Sequence, residues 1–89
     1  MPGPGGGGNM SSPPSWARGT WYWNQGSDRR QMIIDRAGKV TLYQLGNTMY
    51  GTYYREVISI AEITLNISRN GNGIRLQNPN TGEISLWHH

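Results

Sequence analysis

Eighty-nine residues with eight Lys and Arg against five Asp and Glu, a net charge of +3, fit one small domain. No apolar run approaches the ~18 residues that a membrane-spanning helix needs, and the lack of cysteine excludes disulfides and thiolate metal sites. Phenylalanine is absent too, so each of the four Trp and five Tyr carries a polar edge suited to half-buried positions.

Residues 1–15, MPGPGGGGNMSSPPS, contain five glycines, four prolines and no hydrophobic pattern. Such a stretch cannot bury enough surface to offset the entropy of ordering it, and a disordered N-terminal tether is expected. It has neither the basic start nor the apolar centre of a signal peptide. Met1 is then expected to be a start codon on a mature sequence whose export signal was removed. The folded domain is expected over residues 16–87, with His88-His89 left as a tail resembling a tag remnant.

From Trp16 onward the hydrophobic period is two. Gly19–Asn24 places Trp21 and Trp23 on one face and Thr20 and Tyr22 on the other. A turn at Gln25–Asp28 leads to a strand over Gln31–Asp35, and Asp35-Arg36-Ala37-Gly38 is a hairpin turn. Lys39–Leu45 alternates Val40 and Leu42 against Thr41 and Tyr43, and Gly46-Asn47 reverses the chain. In Thr48–Arg55, Met49, Gly51 and Tyr53 oppose Tyr50, Thr52 and Tyr54.

The next segment changes phase, from even-numbered Ile58 and Ile60 to odd-numbered Ile63, Leu65 and Ile67. A strand cannot do this without a bulge or turn, which is placed at Ala61-Glu62; a short helix is the alternative, disfavoured by the β-branched content. Asn70-Gly71-Asn72-Gly73 is a strong hairpin signal. Ile74–Gln77, a loop at Asn78–Gly82 and a last strand at Glu83–Trp87 complete the chain. The expected fold is all-β, an antiparallel meander of seven or eight short strands. Closure into a small barrel would remove exposed edges, with a small β-sandwich as the alternative.

Catalysis is not expected. Histidine occurs only at the frayed C-terminus, and Asp28, Asp35, Glu56, Glu62 and Glu83 read as turn or surface carboxylates. No metal site and no cofactor is expected, since His88 and His89 alone cannot complete a coordination shell. The aromatics are more telling. Trp21, Trp23 and Trp87 are expected to fill or plug the barrel. Tyr22, Tyr43, Tyr50 and Tyr54 are the candidates for an outer face that stacks on a sugar, a base or another flat ligand. Arg29, Arg30, Arg36 and Lys39 flank one hairpin and could form a basic tip, which with neighbouring tyrosines would suit single-stranded nucleic acid.

The run Gly19-Thr20-Trp21-Tyr22, followed by Asn24-Gln25 and later by Gly51-Thr52-Tyr53, resembles the opening of the lipocalin and streptavidin (calycin-like) ligand-binding barrels. Pro14-Ser15-Trp16-Ala17-Arg18-Gly19-Thr20-Trp21 is similar to the start of small bacterial lipoprotein β domains. The likeness covers residues 19–54 at most, and the later tryptophan-bearing strands of the biotin-binding barrels are missing. What it implies is a barrel, with Asn24, Ser27 and Tyr43 as polar lining for a small ligand, in a periplasmic or cell-envelope setting.

Three functions follow as expectations. The first is a non-catalytic, exported binding module that recognises a small ligand, a glycan or a protein through its aromatic face. The second is a cytoplasmic binder of single-stranded nucleic acid. The third is an edge-pairing module that forms a homo-oligomer.

Overall fold

The computed structural model describes residues 10–89. Eight strands follow one another: β1 (Gly19–Gln25), β2 (Asp28–Ile34), β3 (Lys39–Gln44), β4 (Asn47–Tyr54), β5 (Val57–Ile60), β6 (Ile63–Asn70), β7 (Gly73–Gln77) and β8 (Ile84–Trp87). All belong to one antiparallel sheet whose spatial order is the chain order. The sheet then curls back on itself. Tyr22 N–H donates to the His88 carbonyl at 2.7 Å, and His88 N–H donates to the Tyr22 carbonyl at 3.1 Å. The result is a nearly closed barrel, not a sandwich.

Carried once round the sheet through every pairing and the closing bridge, the register returns to β1 about ten residues further along. A stagger of this kind accompanies strands tilted roughly 35–45° to the barrel axis.

Tight turns make this possible on so short a chain. Gly26-Ser27, Leu45-Gly46, Arg55-Glu56, Ala61-Glu62 and Gly71-Asn72 each join neighbouring strands with two residues. Turns whose twist matches that of the strands need positive φ, which glycine supplies without a steric penalty. Here Leu45 (49°), Arg55 (51°), Glu56 (66°) and Ala61 (54°) adopt it with a Cβ present. The expected phase change at Ala61-Glu62 is such a turn. One detail differs from the period-two pattern: Ile63 closes that turn and is 51% exposed, while Ile67 is buried and Leu65 half-buried.

Inward positions fill the barrel. Trp21, Met32, Ile34, Val40, Ile58, Ile74 and Leu76 are buried almost completely, so the interior is a packed core. Gly51 lets β4 and β5 approach closely, because a Cβ there would collide with the Ser59 carbonyl oxygen and lie 2.6 Å from Ile60 Cγ1. At one mouth, Trp23 and Trp87 pack with ring centroids 6.3 Å apart. The Arg30 guanidinium lies 4.8 Å over Trp23, held by a two-point pairing to Asp28 at 2.9 and 3.2 Å.

The other mouth is crossed by the chain entering β1. Ser11 N–H donates to the Tyr53 carbonyl at 2.9 Å, Ser11 Oγ accepts from Arg55 N–H at 3.1 Å, and Pro13 and Ala17 are buried. Residues 11–15 therefore strap the barrel where a tether through residue 15 was expected. Prolines lose little entropy on ordering and bring no N–H to satisfy, while the mouth offers backbone groups that need partners. The remainder of the expected tether, residues 1–9, lies outside the described residues. The C-terminal histidines also belong to the domain: His88 closes the sheet, and His89 stacks on Trp21 with centroids 4.0 Å apart.

Candidate functional site

The site grows from the register of the first three strands. Tyr22 of β1 pairs with Gln31 of β2, and Gln31 pairs in turn with Tyr43 of β3. Side chains alternate across a strand, and Trp21 and Met32 point inward, so this row points outward. Tyr22 and Tyr43 are each 42% exposed. Two strand spacings separate their backbones by about 10 Å. Rings stacked on either side of a third ring need about 7–8 Å between their planes, taking ~3.5–4 Å per contact. The convex surface of a barrel splays outward side chains, so the two rings must lean toward each other to meet both faces of a guest.

Between them lies an open depression of about 450 Å³ with Gln31 in its lining. The next row of the lattice pairs Asn24 with Arg29, and both line the depression. Gln44 at the end of β3 and Leu45 and Gly46 of the β3–β4 turn complete one side. Asn24 and Gln31, on the outward face, each offer a carbonyl acceptor and an amide donor. No Asp or Glu lines the hollow. The nearby carboxylate of Asp28 is engaged by Arg30, the one ion pair among the described residues. Arg29 is exposed and has no acidic partner among those residues. The surface thus combines two phenol faces, two amides and a cation.

The sequence-derived candidates divide. Tyr22, Asn24 and Tyr43 come together. Ser27 sits exposed in the β1–β2 turn beside the depression without lining it. Tyr50 is on the same outer surface, opposite Thr41, with the Lys39 ammonium 5.2 Å over its ring. Tyr54 lies at the strapped end under the Arg55 guanidinium at 5.0 Å. Asn24 and Tyr43, offered by the resemblance as lining for a small ligand, face the outside of a filled barrel.

The basic tip does not form. Arg29 and Arg30 stand at the start of β2, Arg36 and Lys39 beyond its end. An extended strand carries the chain about 3.3 Å per residue, which puts the two pairs roughly 20 Å apart. Gln31 carries no sequence signal as a ligand contact; only the cross-strand register places it between the tyrosines.

No known protein family, curated protein or solved structure matches this chain.

Proposed function

We propose that this barrel is a non-catalytic binding module that holds one polar ring, a sugar unit of a glycan, between Tyr22 and Tyr43. The observation that carries this reading is the Tyr22–Gln31–Tyr43 row, two exposed phenol rings on one outward-facing row with an amide between them. Aromatic faces suit the C–H face of a sugar ring, and side-chain amides suit its hydroxyl rim. A filled barrel interior leaves the outer surface as the place for recognition. An exported, envelope-associated setting belongs to the same reading, supported by the likeness of Pro14–Trp21 to lipoprotein β domains.

The test is a titration with soluble oligosaccharides followed residue by residue by NMR. Shifts are expected at Tyr22, Asn24, Gln31 and Tyr43, and both Tyr22→Ala and Tyr43→Ala should abolish them while the domain stays folded. Shifts centred on Tyr54 or on the strap, or a response untouched by both variants, would refute the assignment.

A further inference from the structure

The charge around the depression narrows the class of ligand. We infer, resting on the binding reading above, that the sugar it takes carries a carboxylate, which Arg29 receives.

The cation count at the site supports this. Arg30 is occupied, since its Nε and one terminal nitrogen both bond Asp28 and its plane lies over Trp23. Arg29 is exposed, borders the depression beside Asn24, and meets no carboxylate among the described residues. The lining holds two arginines and no acid. An anionic ligand therefore meets a free guanidinium and no carboxylate in the lining, the neighbouring Asp28 being paired with Arg30, and guanidinium binds carboxylate through two parallel hydrogen bonds.

The arrangement fits one charge per ring better than a continuous phosphate backbone. The other cations that could follow a nucleic-acid strand, Arg36 and Lys39, are roughly 20 Å away at the far end of β2. Lys39 is also turned onto Tyr50. Within the Asn24–Arg29 and Tyr22–Gln31 rows, the cation lies one lattice step, about 7 Å, from the slot. An arginine side chain spans that distance to reach a group at the edge of a stacked ring.

The experiment compares dissociation constants of the full chain for three soluble probes of equal length: a neutral glucose oligomer, the glucuronate oligomer with the same linkage, and oligothymidylate. The glucuronate oligomer is expected to bind roughly tenfold more tightly than the glucose oligomer, the strength of a hydrogen-bonded charge pair. Arg29→Gln should bring that ratio close to one, and Arg36→Gln should leave it unchanged. Equal affinity for the two sugars, with dependence on Tyr22 and Tyr43 retained, would overturn the carboxylate assignment and leave the binding module standing. Absence of any sugar response at Tyr22 and Tyr43 would overturn both. Tighter binding of oligothymidylate than of glucuronate would overturn the inference in favour of a nucleic-acid ligand.

Discussion

Trp21 donates its indole N–H to the carbonyl of Ala17 at 2.9 Å, so the largest ring of the core is tied to the segment that leads into its own strand. The ring is 1% exposed and is covered by His89 on one face. Trp21→Ala should therefore cost about 3–5 kcal/mol, as a buried aromatic leaves a cavity that the frame only partly closes. Urea unfolding would measure it; a loss below about 1 kcal/mol would contradict the role given to Trp21.

Gly51 is the second structural weak point. A methyl group there meets the Ser59 backbone, which cannot move without breaking the β4–β5 register. Gly51→Ala should destabilise by about 1–3 kcal/mol, the range for overpacked sites. An unchanged melting temperature would show that the two strands have slack.

The turns store strain that can be relieved. Leu45 and Glu56 both hold left-handed backbone conformations with a Cβ, a conformation that costs ordinary residues about 1–2 kcal/mol. Leu45→Asn would create an Asn-Gly turn, and Glu56→Gly would remove the Cβ. Each should stabilise the fold by roughly 0.5–1 kcal/mol, less for glycine because it loses more entropy on folding. Denaturant midpoints that fall in both variants would contradict the strain argument.

Tyr53 makes stability depend on alkaline pH. Burial pushes its hydroxyl above the usual value of 10.0, the Glu56 carboxylate adds to the rise, and a hydrogen bond from the Glu56 backbone partly opposes it. The neutral phenol is favoured in the folded state, so its contribution is complete below pH 10 and is lost as pH rises through the raised folded value. Unfolding free energy should decline above about pH 10, with a smaller slope in Tyr53→Phe. Identical slopes would assign the decline to other groups.

How far the sequence predicts this molecule can be seen in particular residues. The alternation around Trp21, Val40, Leu42 and Tyr53 names the inward face correctly, because a period of two admits only two assignments per strand. The phase change at Ala61-Glu62 marks a real turn for the same reason. The strap is not visible, since Ser11 and Pro13 act through single backbone contacts with no periodicity. Barrel closure is expected from the need to cover sheet edges, but the residues that make it, Tyr22 and His88, are hidden, because strands distant in sequence are matched by geometry. The site is half legible. Tyr22 and Tyr43 stand out as exposed aromatics, but Gln31 acquires its place only from the pairing of β2 with both neighbours. Arg29 and Arg36 flank one hairpin in the sequence, and the extension of β2 separates them.

Removing either tyrosine ring from the slot should separate binding from folding. Both residues are 42% exposed, so Tyr22→Ala and Tyr43→Ala should shift stability by no more than about 1 kcal/mol while weakening a sugar ligand at least tenfold. Thermal melts beside titrations read the two effects independently. Equal loss of stability and binding would make the tyrosines part of the core.

The most direct test of the central claim is an intermolecular NOE experiment on the wild-type chain with the bound glucuronate oligomer. Protons of a single sugar ring should show contacts to the aromatic protons of both Tyr22 and Tyr43. Contacts to only one of the two rings, or to Tyr50 and Tyr54 in their place, would contradict the slot between β1 and β3.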